Sequence, residues 1–301
     1  MGTSRHLGLD LGGTNIKWAV VENSGETWKA LDRGRVPTEA DEGPDAVVER
    51  LASVAVEAVG RWPGISSVGV GVPGEYDPVA GTTRDLTNLP GAWDGKPVAS
   101  VIGAAVGQPT HLINDARAFG LSELRLGAGR GVGSMIGFAL GTGVGGVIAL
   151  DGRVYQGHEG TAGELGHQTL DPDGPLCGCG NRGCLEAFVR ADRICEACEA
   201  ETVEEAVTRA RAGDAVAVAG LAEAGRYLGI GIANMVTVFT PDRVVIGGGV
   251  GAALDLFMGP IRHELTLRVQ LTPLDQVEIV PAELGVWAGA IGAAIHGAET
   301  A

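Results

Sequence analysis

Short apolar runs joined by glycine-rich turns open the chain, and helical periodicities follow them. Residues 6–11 (HLGLDL) read as a buried strand that ends in Asp10-Leu-Gly-Gly-Thr14. Residues 16–21 answer it as a second strand and 27–36 as a third. Here glycines join strand to strand, unlike phosphate loops that run from a strand into a helix. Apolar positions 47, 48, 51, 54 and 55 predict a helix over 44–59, with Pro44 suited to its first turn. Residues 65–72 then read as a buried strand ending at Pro73-Gly74, and 75–96 as a loop containing Thr87-Asn88-Leu89-Pro90-Gly91. A helix over 97–106, a strand over 110–113 running into Asn114-Asp115, and a helix over 116–126 complete this half.

The pattern then begins again. A strand over 134–140 ends in Gly141-Thr142-Gly143, residues 144–150 answer it, and Asp151-Gly152 turns into a third strand. Helices are predicted over 186–199, 203–212 and 215–239, the last with apolar positions 221, 224, 228, 232, 235 and 239 on one face. A strand over 243–246 ends in Gly247-Gly248-Gly249. A helix over 252–267, a strand over 277–280 and a closing helix over 286–296 follow. Two strand–glycine-turn–strand openings, each leading into alternating strands and helices, predict a duplicated α/β unit with a ligand cleft. The expected division is a smaller domain over 1–115, joined by the closing helix near 286–301, and a larger one over 116–285. The crossing between halves is expected within 115–130.

Composition narrows the partners. A net charge of −15 over 301 residues argues against a nucleic-acid backbone as ligand. Hydrophobic content of 45% with only 4% aromatic predicts a core of Val, Ala, Leu and Ile. Fifty glycines, against a usual share of about 7%, cluster at strand ends and suggest close backbone approach to a ligand. The N-terminus has no apolar run fit for a signal peptide, and no stretch reaches about 18 uninterrupted apolar residues. With five cysteines, that is the expectation for a cytoplasmic protein with no membrane partner. Cys195 and Cys198 form a C-x-x-C within a helical pattern and read as ordinary helical neighbours.

The densest chemistry lies in 159–186, EGTAGELGHQTLDPDGPLCGCGNRGCLE. Cys177, Cys179 and Cys184 alternate with glycines that allow several sulfurs to turn to one point. Three thiolates and an imidazole suit a structural zinc site, and His167 is the nearest candidate for the fourth ligand. Disulfide pairing and a catalytic thiol are the alternatives. Turn backbone N–H groups at Gly12, Gly13 and Thr14 can form an anion-binding concavity, and Asp10 can hold Mg²⁺ through water.

Asp10-Leu-Gly-Gly-Thr14, Leu140-Gly-Thr-Gly-Val-Gly-Gly146, Gly163-Glu-Leu-Gly-His167 and Cys177-Gly-Cys-Gly-Asn-Arg-Gly-Cys184 stand in the order of the ROK family, which the chain resembles from Leu7 to its last helix. That family comprises sugar kinases and sugar-responsive repressors. The resemblance implies an α/β, actin-like or hexokinase-type fold of duplicated RNase H-like domains with a central cleft. It implies that Asp115 is the catalytic base, and that Gly74, Asn88, Asn114, Asp115, Glu164, His167 and Glu186 contact the sugar. Glu159 is a weaker sugar contact, and His158 reads as a surface residue. Asp10, Gly12, Gly13, Thr14, Gly141, Thr142 and Gly143 would meet the phosphates of ATP with Mg²⁺, and Gly247, Gly248 and Gly249 the adenosine. His167, Cys177, Cys179 and Cys184 would hold zinc, with the second nitrogen of His167 presented to a sugar oxygen. For Asp115 the bland reading is an N-cap of the helix that follows.

Two positions depart from the family pattern: Arg117 stands where Asn is frequent and Arg190 near a usual serine. Both bear on substrate identity more than on the reaction. The expected activity is ATP-dependent phosphorylation of a hexose 6-hydroxyl, with glucose as the expected acceptor. N-acetylglucosamine, N-acetylmannosamine, mannose and fructose are alternative acceptors, and polyphosphate an alternative donor. A sugar-sensing regulator would need a DNA-binding domain ahead of a strand that begins by residue 6. A non-catalytic sugar binder would be expected to have lost Asp10 or Asp115. A homodimer or dimer of dimers is what the resemblance leads one to expect.

Overall fold

The computed structural model describes residues 2–301 except Glu26, Thr87 and Ala252, and omits the side chain of Glu159. The chain runs through β1 (Ser4–Leu11), β2 (Asn15–Ser24), β3 (Thr27–Pro37), α1 (Pro44–Arg61), β4 (Ile65–Val72), β5 (Gly74–Asp77), β6 (Thr82–Leu86), α2 (Val98–Val106), β7 (Thr110–Asn114) and α3 (Asp115–Arg125). It continues through β8 (Met135–Leu140), β9 (Val144–Leu150), β10 (Arg153–Val154), α4 (Glu186–Val189), α5 (Ala191–Ala197), α6 (Val203–Arg211) and α7 (Ala215–Phe239). β11 (Arg243–Gly247), α8 (Gly248–Gly251), α9 (Leu254–Arg268), β12 (Glu278–Pro281) and α10 (Ala288–Thr300) end it.

Two compact units form. One comprises Met1–Arg130, Gln156–Thr161 and Leu284–Ala301, the other Gly131–Tyr155 and Ala162–Glu283. The first boundary thus falls after Arg130, where sequence placed it after residue 115. α3 belongs to the first unit because it packs along α10, a partner far away in sequence.

In the first unit the sheet order is β3-β2-β1-β4-β7, with β1–β2–β3 antiparallel and β1–β4–β7 parallel. In the second it is β10-β9-β8-β11-β12, antiparallel across the first three and parallel thereafter. Each sheet therefore has its third, second, first, fourth and fifth strands in that order. This is the duplicated RNase H-like arrangement of the actin-like and hexokinase-type folds.

One face of the first sheet buries Leu7, Leu9, Val68 and Val70 with Val47, Leu51 and Ala55 of α1. On the other face α10 lies directly on the strands. A Cβ at Gly8 would fall onto the Ala290 carbonyl, and one at Gly69 onto that of Ala293. The small residues of α10 (AGAIGAAIHGA) make the matching surface on the helix side. In the second unit α7 packs on α9. α7 is long and apolar enough to cross a membrane, yet half of its most apolar window is buried inside the protein, as in a core helix.

Departures from the sequence reading have local causes. The polar stretch 75–96 contains the hairpin β5–β6, paired antiparallel and capped by the hydrogen bond from Thr83 Oγ1 to the Trp93 carbonyl (2.6 Å). The helix expected over 186–199 breaks at Arg190, whose backbone is extended (φ −67°, ψ 156°). The helix expected from Ala252, which lies outside the described residues, is preceded by the single turn α8, and α9 starts at Leu254.

His296 of α10 provides a test of this packing. Burial lowers its pKa to about 4, with the charge of His111 acting in the same direction and a backbone hydrogen bond at Leu112 opposing. The folded group stays neutral where an unfolded histidine, with a pKa near about 6.5, takes up a proton. Stability from this group is complete above about pH 6.5 and is lost as pH falls toward 4. The full difference is on the order of 3 kcal/mol. Urea midpoints measured from pH 7 to 4 should fall, and His296→Asn should flatten the slope. An unchanged slope in the variant would show that His296 does not titrate between the two states.

Candidate functional site

The candidate residues fall in both units. In the first, Asp10 is the penultimate residue of β1, 9% exposed, and pairs with Lys17 Nζ of β2 at 3.1 Å. The first turn of α10 closes over it: a Cβ at Gly289 would stand 2.7 Å from Asp10 Cγ. Sequence reading did not name Lys17 or Gly289. The paired register Asp10↔Lys17 was the available signal for the first, while the second is a contact across the whole chain.

The turn Gly12-Gly13-Thr14 is stapled by Gly12 N–H donating to the Asn15 carbonyl (3.1 Å). Thr38 Oγ1 donates to the Gly12 carbonyl (2.6 Å). Gly13 and Thr14 are exposed, and a Cβ on Gly13 would lie 3.0 Å from the Asn88 carbonyl. The turn and Asn88 are therefore brought together. Asn88 holds a left-handed backbone (φ 65°), which asparagine tolerates better than most side chains.

At the junction of β7 and α3, the N-cap is Asn114. Its Oδ1 accepts from the N–H groups of Ala116 (3.1 Å) and Arg117 (3.2 Å), and its Nδ2 donates to the Gly74 carbonyl (3.4 Å). The N-cap role considered for Asp115 thus belongs to its neighbour. Asp115 is the first helical residue, and its Oδ1 accepts from Ala116 N–H at 2.7 Å. The first turn of a helix is a favourable place for a carboxylate, because the dipole presents its positive end there. Arg117 is buried, and its charge acts on Tyr76, whose phenol burial otherwise pushes upward.

In the second unit, the 163–167 stretch lies against β9. A Cβ at Gly166 would fall onto the Val144 carbonyl, and Gly163 adopts φ 96°. Glu164 precedes a 3-10 turn over Leu165–His167 and is exposed. The cysteine loop is tied by Cys177 N–H to the Asn181 carbonyl (2.8 Å) and Gly180 N–H to the Cys177 carbonyl (3.0 Å).

One ligand atom each from His167, Cys177, Cys179 and Cys184 lies within 4.8 Å of all the others, a group able to hold a metal ion. The Cys177 Sγ···His167 Nδ1 separation is 3.6 Å and that of Cys179 Sγ···Cys184 Sγ is 3.7 Å. Nδ1 is thus the nitrogen turned to the sulfurs. Burial pushes the Cys177 thiol up to about 12 and raises that of Cys184, while the Asn181 N–H draws Cys179 down. All the described cysteines are free of disulfides.

Glu186 stands between this cluster and the β8–β9 turn. Its Oε2 accepts from Val144 N–H (2.9 Å), and its Oε1 lies 3.5 Å from Cys177 Sγ. Val144 belongs to an element 42 residues away, and nothing local in Cys184-Leu-Glu186 announces that contact. The turn itself closes by Gly141 N–H donating to the Gly143 carbonyl (2.9 Å). Gly247-Gly248-Gly249 ends β11 and opens α8, where Gly248 adopts φ 83° directly over the Leu140 backbone. Arg190 is paired with Asp192 at 2.8 Å.

A family model described as "ROK family" matches residues 6–298. The chain belongs to the ROK family. It is 31% identical over 307 residues to a glucokinase of Thermotoga maritima, covering 96% of this chain and 95% of that protein. Among solved structures it is similar to a ROK hexokinase from Thermus thermophilus, with 36% identity, a TM-score of 0.82 and 98% of each chain covered. It is also similar to a ROK family glucokinase from Streptomyces griseus solved with glucose and AMPPNP. There the identity is 29% and the TM-score 0.82, covering 99% of this chain and 100% of the other. The ROK motifs of this chain are therefore distributed over both units, with glycine turns at the matching β1–β2 and β8–β9 positions.

Proposed function

We propose that this ROK chain transfers the γ-phosphoryl group of ATP to the 6-hydroxyl of a hexose, with glucose as the preferred acceptor. The observation that carries the reading is Asp115, a carboxylate on the first turn of α3 with the N-cap taken by Asn114. Likeness to glucokinases over nearly the whole chain supports the acceptor.

In this reading Asp115 accepts the proton of the attacking hydroxyl as its oxygen bonds to the γ-phosphorus and ADP leaves. Backbone N–H groups of Gly12–Thr14 and Gly141–Gly143 meet the phosphates, and Gly247–Gly249 lie by the adenosine. Asp10, its charge partly offset by Lys17, is the residue that would hold the nucleotide's Mg²⁺. That ion, when bound, neutralises charge on the phosphate oxygens. Gly74, Asn88, Asn114, Glu164, His167 and Glu186 hold the sugar hydroxyls. The amide of Asn114 also fixes the Gly74 strand and the start of α3, and its second Nδ2 hydrogen is left for a hydroxyl. The side chain of Glu159 lies outside the described residues.

His167, Cys177, Cys179 and Cys184 fit a structural Zn²⁺. Zinc–sulfur bonds of about 2.3 Å at tetrahedral angles put sulfurs about 3.8 Å apart, and a sulfur and an imidazole nitrogen about 3.5 Å apart. The separations of 3.7 and 3.6 Å match those values. With Nδ1 committed, the tautomer of His167 carries its proton on Nε2, the atom available to a sugar oxygen. A cytoplasmic homodimer or dimer of dimers is part of the same reading.

ADP release from a panel of hexoses and aminosugars, with ATP and with polyphosphate as donors, tests the reading. Glucose with ATP and Mg²⁺ should give the highest kcat/KM. Turnover confined to an N-acetylhexosamine would reassign the acceptor, and no turnover with any sugar would sink the kinase reading.

A further inference from the structure

The segment 184–191 connects the Cys3His cluster to the β8–β9 turn. It starts at Cys184, a member of the Cys3His cluster, whose carbonyl accepts the Ala187 N–H at 3.0 Å. Two residues later, Glu186 Oε2 accepts from Val144 N–H at 2.9 Å, at the exit of the Gly141–Gly143 turn. At the segment's other end, Ala191 N–H donates to the Gly141 carbonyl at 2.9 Å, at the entrance of the same turn. The fit is close: a Cβ at Gly143 would stand 2.6 Å from Glu186 Oε2. Glu186 also meets the cluster from its second oxygen, 3.5 Å from Cys177 Sγ. The β8–β9 turn is thus clamped at both ends by the chain that leaves the cluster. All of these contacts lie within one unit.

We infer that metal binding at the Cys3His cluster and nucleotide binding at the Gly141–Gly143 turn are thermodynamically coupled, with Glu186 as the positioning residue that carries the coupling. This rests on the assignment of the turn to nucleotide phosphates. An ordered cluster fixes Cys184 and with it the backbone of 185–191. That holds the Glu186 carboxylate and the Ala191 N–H where they shape the turn. Ordering the turn before the nucleotide arrives removes a cost from binding. Coupling between two sites is reciprocal, so bound nucleotide must tighten the metal by the same factor. Glu186 accordingly has a role toward the nucleotide beside its expected contact with the sugar.

The test needs no turnover and no sugar. Affinity for AMPPNP with Mg²⁺ is measured by calorimetry on zinc-loaded and zinc-stripped protein, for the parent chain, Glu186→Ala and Glu186→Gln. The parent should bind about five-fold or more tightly when zinc-loaded, within the usual range of site–site coupling. Glu186→Ala should bring that ratio close to one. Glu186→Gln keeps a carbonyl oxygen for the Val144 N–H and should retain most of it, an outcome that mere loss of bulk would not give. Zinc-stripped protein that unfolds does not block the test. Zinc affinity of the folded protein, read by competition with a chromogenic chelator, should tighten by the same factor when AMPPNP is added. Equal nucleotide affinities together with a nucleotide-independent zinc affinity would overturn the coupling alone. A zinc-loaded protein that binds no nucleotide would overturn the turn's assignment and the coupling with it.

Discussion

Replacing Asp115 by asparagine is expected to lower kcat by about 10²–10⁴-fold while leaving sugar affinity within a few-fold of the parent. The substitution is nearly isosteric. Oδ1 of an asparagine can still accept from Ala116 N–H, as Asp115 does at 2.7 Å. The helix start does not depend on residue 115, because Asn114 supplies the N-cap bonds to Ala116 and Arg117. What disappears is the negative charge and its basicity, which only the proton transfer requires. The loss corresponds to about 3–5 kcal/mol of barrier. Stopped-time ADP assays at saturating glucose and ATP give kcat, and glucose calorimetry gives the binding control. A variant that keeps near-full turnover would remove Asp115 from the role of base. A variant that loses glucose binding as well would point to a sugar-holding role instead.

The two halves of the fold were readable because each strand of both sheets carries its own local pattern. The runs 65–72 and 144–150 coincide with β4 and β9. The strand–glycine–strand openings gave the duplication before the common strand order was known. What escaped was set at long range. β5 and β6 are too short and polar to announce themselves; Thr83 and Leu86 are buried there, and Thr83 bonds the Trp93 carbonyl. The boundary after residue 115 failed because α3 takes its place from α10, whose Gly292 lies against the Ala118 carbonyl.

The candidate site divides in the same way. Three cysteines and a histidine brought together by ten residues of spacing and several glycines form a local motif, and the four side chains do converge. Lys17 beside Asp10, Gly289 over it, and the hold of Glu186 on Val144 all join residues from separate elements. Arg117 and Arg190 depart from the family pattern at positions expected to bear on substrate identity. Arg117 lies buried, with its charge acting on Tyr76, and Arg190 pairs with Asp192.

Cys179→Ala is expected to lose the metal and to weaken glucose binding by about 10–100-fold with little change in far-UV circular dichroism. Cys179 is the informative position because it is exposed, whereas Cys177 and Cys184 are buried at 3% and 0%. Truncating either of the latter mixes ligand loss with a cavity in the core. At Cys179 only the ligand is removed, from a loop whose other ties, Cys177 N–H to the Asn181 carbonyl and Gly180 N–H to that of Cys177, are backbone bonds that an alanine preserves. With three ligands left, His167 Nδ1 loses the partner that fixes its ring, and Nε2–H is no longer held toward a sugar hydroxyl. Sugar affinity should then fall without a change in the residues that touch the sugar. Zinc per protein measured by atomic emission should drop well below one, and calorimetry with glucose reads the consequence. Acid should reproduce part of the effect in the parent chain, since thiols that burial raises must give up protons to bind metal. Glucose binding that is unchanged in zinc-free Cys179→Ala would separate the metal from the sugar and remove the cluster as an organiser of the sugar pocket.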